Sequence, residues 1–177
     1  GLAIANSYAR MMNGGIDVQS SPGAGSTFAV SVWLEETGDK MMPSDIRGHF
    51  CEMKALVVDD EPAVCEYVCS LLEKFGVEAN SAYSAPFALE YIRANQKANN
   101  PYNVLITDWK MPEMDGIELV KSVRNEFKDN ILIVAISAYD WNSIKKQAED
   151  AGVNYFLPKP LFPSSVYDLL VSATLGK

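Results

Sequence analysis

Three stretches of this 177-residue chain are apolar at consecutive positions: ALVV (55–58), NVLIT (103–107) and ILIVAIS (131–137). A strand with one wet face alternates apolar and polar residues, so unbroken runs mark strands covered on both faces, as in a parallel sheet. Two weaker runs, VEANSA (77–82) and VNYFL (153–157), complete a set of five. The intervening segments have helical periodicity. In 62–75, Val64, Tyr67, Val68, Leu71, Leu72 and Phe75 recur at three- and four-residue spacing, and Pro62 suits a first helical turn. Segments 85–95, 115–127, 141–150 and 163–174 predict further helices, the last with Val166, Leu169, Leu170 and Ala173 on one face. Alternation of five strands with five helices predicts an α/β domain over 53–177. Its expected form is a doubly wound five-stranded parallel sheet with helices on both faces.

Residues 1–34 have a different pattern. LAIANSYARMM predicts a helix stopped by Asn13-Gly14-Gly15, and IDVQS and STFAVSVWL alternate around SPGAG as a β-hairpin. Residues 35–52 have no periodicity and mixed charge, which predicts a linker; its His49 is a linker side chain rather than a phosphoryl donor. A start on Gly1 rather than Met suggests a piece of a longer protein.

A net charge of −8 argues against nucleic acid as a partner, since phosphate backbones are bound by basic patches, and equally against an anionic membrane surface. No apolar run approaches membrane-spanning length. The three cysteines, Cys51, Cys65 and Cys69, have no metal-ligand rhythm and read as reduced residues of a cytoplasmic protein. Cys65 and Cys69 lie beside the core stripe of their helix, either packed or partly exposed for contact.

The strand ends carry the chemistry. The first closes on Asp59-Asp60-Glu61, the third on Asp108, the fourth on Ser137, and the fifth on Phe156-Leu157-Pro158-Lys159-Pro160. In a doubly wound sheet these ends share one rim, which gathers Asp59, Asp60 and Asp108. Three carboxylates repel one another unless a hard cation intervenes, and Mg²⁺ prefers such oxygen ligands. A carboxylate beside Mg²⁺ can act as a nucleophile toward phosphorus, with Lys159 and Ser137 supplying a positive charge and a hydroxyl to the phosphoryl oxygens. A phosphohydrolase with an Asp nucleophile is a rival, but that family has a DxD pair after its first strand where this chain has adjacent Asp59-Asp60.

With VVDDE, ITDWKMPEMDG, AISA and LPKP in this order, residues 53–177 resemble the receiver domain of two-component signalling, a flavodoxin-like fold. The resemblance implies that Asp108 is the phosphoacceptor. It also implies that Asp59, Asp60, Asp108 and the backbone carbonyl of Lys110 hold Mg²⁺. Ser137 and Phe156 take the switch positions, Lys159 is the phosphate-binding lysine, and Lys159-Pro160 is cis. Lys110 and Tyr139 resemble positions that tune phosphate lifetime. Gly1-Leu2-Ala3-Ile4, Gly14-Gly15 and Pro22-Gly23-Ala24-Gly25-Ser26 resemble the tail of the ATP-binding domain of histidine kinases. The implied parent is a hybrid histidine kinase, which could be membrane-anchored.

The earlier nucleotide-binding motifs are absent, so the expected chemistry is Asp phosphorylation and autodephosphorylation without ATP binding. The implied phosphodonor is a histidine kinase phosphohistidine domain or a histidine phosphotransfer protein. Thirty-four residues cannot close a core unaided, so this remnant is expected to pack on the receiver or on another copy, the latter a homodimer through residues 1–34. The alternative function is a protein-binding pseudo-receiver that works without phosphorylation.

Overall fold

The computed structural model describes the backbone of residues 1–35, 50–137 and 141–175. His49 and Tyr139 lie outside the described residues, as does most of the segment read as a linker. The chain divides into two compact units, Gly1–Pro43 and Ser44–Lys177.

In the first unit, α1 (Leu2–Met11) is followed by an antiparallel hairpin of β1 (Gly15–Ser21) and β2 (Gly25–Ser31). Asn13, at φ 55°, turns the chain out of the helix, a conformation that Asn tolerates better than most residues. Ile16 pairs with Val30 and Val18 with Phe28, so the apolar residues share one face of the hairpin. Phe28 and Val30 nevertheless remain 56% and 63% exposed.

The second unit is the α/β domain. Its strands are β3 (Lys54–Val58), β4 (Glu78–Ala82), β5 (Val104–Asp108), β6 (Leu132–Ser137) and β7 (Tyr155–Pro158). They form one parallel sheet in the order β4-β3-β5-β6-β7. The connecting helices are α2 (Pro62–Lys74), α3 (Ala85–Lys97), α4 (Gly116–Phe127) and α5 (Trp141–Ala151), and α6 (Pro163–Leu175) follows β7. Every residue of β3 and β5 is buried, which is why their sequences are apolar without alternation.

Strand periodicity sends Leu56, Val58 and Leu105 to one face, where they pack with Leu89 and Ile92 of α3 and Leu119, Val120 and Val123 of α4. Helices α2 and α6 bury Val68, Leu71, Leu72, Val166, Leu169 and Leu170. Phe50, within the segment read as a linker, is almost fully buried and meets Tyr167 of α6 edge-on, as does Phe75 at the end of α2. In this unit the strand and helix boundaries fall within two residues of the sequence expectation, whereas β2 of the first unit ends at Ser31, three residues short of the expected Leu34. The main local difference is β7, which starts at Tyr155 because Val153 and Asn154 still belong to the turn after α5.

Polar residues finish the edge opposite the catalytic-looking rim. Arg124 reaches the carbonyl oxygens of Gly152, Lys128 and Ile131, and Asn154 Oδ1 accepts from the Ile133 amide. These bonds satisfy backbone groups that the strand starts leave open. No described helix is long and apolar enough to cross a membrane.

Candidate phosphoacceptor site

Asp108 is the last residue of β5 and lies opposite Ile136 of β6, with Ser137 one residue further along. Asp59 follows β3, in register with the neighbouring strand ends because its amide donates to the Ala82 carbonyl at 3.3 Å. The carboxyl ends of a parallel sheet are free of crossover helices, so side chains placed there can meet. One carboxylate oxygen each from Asp59, Asp60 and Asp108 lies within 4.8 Å of the others. Asp59 and Asp108 are buried and Asp60 is exposed, which leaves the cluster open to solvent on one side.

Lys159 enters from the loop after β7. Its Nζ donates to Asp59 Oδ2 at 2.9 Å and to Asp108 Oδ1 at 3.0 Å. Its backbone amide donates to the Ser137 carbonyl at 2.9 Å, which continues the β6–β7 pairing beyond the strand. Asp59 Oδ1 accepts from the Glu61 amide at 2.9 Å, so both oxygens of this buried carboxylate are satisfied. Burial pushes the Asp108 carboxyl above its ordinary value despite the hydrogen bond from Lys159, and the charge on Asp59 adds to the rise. Burial pulls the Lys159 ammonium down, but its hydrogen bonds to Asp59 and Asp108 outweigh this and hold it above the usual lysine value.

The donor set fits a hard divalent cation. All three side-chain ligands are carboxylates, and one ammonium against three carboxylates leaves two formal negative charges in contact range.

The loop between β5 and α4 presses against Asp108. Asp115 caps α4 by accepting from the Glu118 amide at 3.0 Å, and the Gly116 amide donates back to the Trp109 carbonyl. A Cβ on Gly116 would meet the Asp108 carbonyl oxygen at 2.3 Å and Trp109 backbone atoms at 3.1 Å. Neither neighbour is a flexible side chain, so Gly116→Ala must shift the strand end. It should destabilise the fold by about 2 kcal/mol, on the scale of an overpacked site, with a lower urea midpoint as the measurement.

The sequence-derived residues separate into those in mutual contact and those nearby. Asp59, Asp60, Asp108 and Lys159 come together. Ser137 is buried at the adjacent strand end. Lys110 approaches Asp108 through a backbone hydrogen bond. Phe156 is half-buried on β7 and packs against the core face of the sheet. The Lys159-Pro160 bond is cis.

Of the two helical cysteines, Cys65 is fully buried with its Sγ 3.4 Å from the Asp59 carbonyl oxygen, and Cys69 is partly buried. Burial pushes both thiols up to about 11. Cys65 is therefore a packing residue and offers no contact surface. Tyr67 near the site had no signal beyond helical periodicity: its hydroxyl donates to the Leu161 carbonyl, 94 positions away in sequence.

Comparison with known proteins agrees with this geometry. Residues 55–170 match the model of the response regulator receiver domain. Chemotaxis protein CheY1 of Helicobacter pylori is 38% identical over 121 residues, covering 67% of this chain and 94% of the relative. Hybrid signal transduction histidine kinase K of Dictyostelium discoideum is 29% identical over 177 residues, covering 90% of this chain and 14% of that protein. The chain spans a fifth or less of the length of sensor-kinase relatives such as this one. Among solved structures, the Vibrio cholerae chemotaxis protein CheY4 is 28% identical with a TM-score of 0.59, covering 67% of this chain and 96% of its own. With the parallel sheet, the acidic rim and the matched span in agreement, the chain belongs to the response regulator receiver domain family.

Proposed function

We propose that this chain is the phosphoacceptor receiver of a hybrid histidine kinase, in which Asp108 takes a phosphoryl group from a phosphohistidine. The observation that carries this reading is the Lys159 ammonium shared between Asp59 and Asp108, in a three-carboxylate cluster open to solvent. The donor is a histidine kinase phosphohistidine domain or a histidine phosphotransfer protein.

Asp59, Asp60, Asp108 and the Lys110 carbonyl would hold Mg²⁺, which when bound neutralises charge on the transferring phosphoryl group. An Asp108 carboxylate oxygen attacks phosphorus in line with the leaving imidazole nitrogen. The P–N bond breaks as the O–P bond forms, the bonding pair stays on nitrogen, and the ring, protonated on its other nitrogen, leaves as neutral imidazole. The Lys159 ammonium then stands beside the new phosphoryl oxygens, and the Ser137 hydroxyl donates to them. Phosphorylation thereby competes with Asp59 for Lys159 and draws Ser137 toward the acceptor. With Phe156 half-buried next to that strand, this biases a surface built from β6, α5 and β7 between two arrangements. The product relays its phosphoryl group onward or hydrolyses it; Lys110 and Tyr139 set that lifetime.

Residues 1–34 are read as the tail of a histidine kinase ATP-binding domain and 35–52 as a linker to the receiver of 53–177. The helix, the Gly14-Gly15 stop and the hairpin turned at Pro22–Ser26 support this. This stretch lacks a complete ATP site, so no kinase activity is assigned to it. A second copy of the chain is the proposed occupant of its hairpin edge, because the two-stranded ribbon has no third strand among the described residues and a ribbon of two is marginal alone. Sedimentation equilibrium checks this. A cytoplasmic setting suits the three free cysteines.

The test is intact-mass spectrometry after incubation with acetyl phosphate and Mg²⁺. One added phosphoryl group, absent when EDTA replaces Mg²⁺, is the expected result. No adduct in either sample would replace this reading with a pseudo-receiver that acts by contact alone.

A further inference from the structure

Lys159 is held to the acceptor by its own ammonium, but the loop that carries it needs an anchor of its own. The strand pairing ends where the Lys159 amide reaches the Ser137 carbonyl. Beyond that, Pro160 has no amide hydrogen to donate, and the chain leaves the sheet toward α6. The next described tie is Tyr67 of α2, whose hydroxyl donates to the Leu161 carbonyl at 3.0 Å. Tyr67, Lys159, Pro160 and Leu161, with Ala63 and Val64, line an apolar recess of about 320 Å³ beside the acidic rim. Tyr67 is 45% exposed and is not a closed core position.

We infer that Tyr67 is a positioning residue for Lys159: its hydroxyl fixes the Leu161 carbonyl, and so the short loop that aims the ammonium between Asp59 and Asp108. The inference rests on the phosphoacceptor reading above. It adds a residue that touches neither the acceptor nor the metal ligands.

The physical argument concerns how much freedom the lysine has. A lysine carries four rotatable side-chain bonds and binds as a point charge, so its aim depends on where its backbone sits. Only Pro160 lies between Lys159 and the anchored Leu161, and a loop this short transmits a displacement rather than absorbing it. Small misplacements of a charge-stabilising group have large kinetic effects, because only interactions made in the transition state accelerate the step. Loosening Lys159 has the opposite effect on the metal. Its ammonium shares Asp59 and Asp108 with any bound cation, so a less tightly held ammonium opposes that cation less.

Tyr67→Phe removes only the hydroxyl and retains the ring. Phosphorylation by acetyl phosphate is followed by intact mass across a concentration series, and Mg²⁺ binding is measured separately by calorimetry without phosphodonor. The expected result is a limiting rate lowered roughly three- to tenfold, the scale of one lost hydrogen bond that positions a charge. Mg²⁺ affinity should be unchanged or up to about threefold tighter. A merely structural tyrosine would lower both together. The inference is overturned if Tyr67→Phe matches the parent in rate, or if rate and Mg²⁺ affinity fall in parallel. If the parent chain itself is not phosphorylated, the phosphoacceptor reading fails first; the calorimetric arm then stands alone, where tighter Mg²⁺ binding by Tyr67→Phe supports control of the lysine and an unchanged affinity overturns it.

Discussion

Replacing Asp108 with Asn should abolish phosphorylation by acetyl phosphate completely and at the same time make the fold more stable. The first effect follows because an amide nitrogen and a neutral carbonyl oxygen cannot replace a carboxylate nucleophile at phosphorus. Intact mass reads it directly, and any residual adduct on Asp108→Asn would move the acceptor elsewhere. The second effect follows from the cost of the site. Asp108 is buried and its carboxyl is raised above the ordinary value, first by burial and then by Asp59.

The sign can be worked out from that shift. An acid whose folded pKa lies above its unfolded value binds protons more readily in the folded state, so its ionisation destabilises the fold. The penalty is fully present once pH lies above the folded value. It fades as pH falls toward the ordinary value of 3.8. Asp108→Asn, unable to ionise, should gain about 1 kcal/mol at pH 7, or ~3 °C in thermal midpoint for a domain of this size. The gain should shrink toward zero near pH 3. Scanning calorimetry at both pH values checks it. Mg²⁺ should stabilise the parent by mass action and the variant far less, because one of the three clustered carboxylates is gone.

Lys159→Ala carries the second large effect, and here rate and affinity should move in opposite directions. The ammonium is the only side-chain cation described in contact with Asp59 and Asp108. Losing such a preorganised charge should slow phosphoryl transfer roughly 10²–10³-fold. Without the competing positive charge, Mg²⁺ should bind roughly three- to tenfold more tightly, an electrostatic effect of ~1 kcal/mol at a partly exposed pair. In metal-free buffer the variant should melt below the parent, because the buried Asp59 loses its ion-pair partner. Saturating Mg²⁺ should recover most of that loss. Rapid-quench phosphorylation and calorimetric titration check the two signs. Parallel loss of rate and metal affinity would mean that Lys159 organises the cluster instead of opposing the cation.

The three apolar runs at 55–58, 103–107 and 131–137 were legible as a parallel sheet because burial on both faces removes the need for polar residues at any position. The rim carboxylates were legible for a different reason. Singly, Asp59, Asp60, Asp108 and Lys159 pass for caps and loop charges, and only their joint placement at successive strand ends, with the motifs in order, marked them as a site. Cys65 was not decidable. It lies beside an apolar stripe, and only the packing of α2 on β3 shows that its thiol lies inside, against the Asp59 carbonyl. Phe50 was hidden by its surroundings: a single aromatic in a segment without periodicity gives no local sign of the Tyr167 ring that buries it.

The amino-acid sequence by itself therefore determined the layer architecture, the strand set and the chemical character of the rim. All three are read from local pattern, and local pattern records which faces must be dry. Tertiary structure alone decided the contacts between distant segments: Lys159 on Asp59, 100 positions apart, and Tyr67 on Leu161, 94 apart. Such pairs leave no periodic trace, since each partner is locally an ordinary loop lysine or helix tyrosine. Their geometry exists only once the sheet has brought its strand ends to one rim.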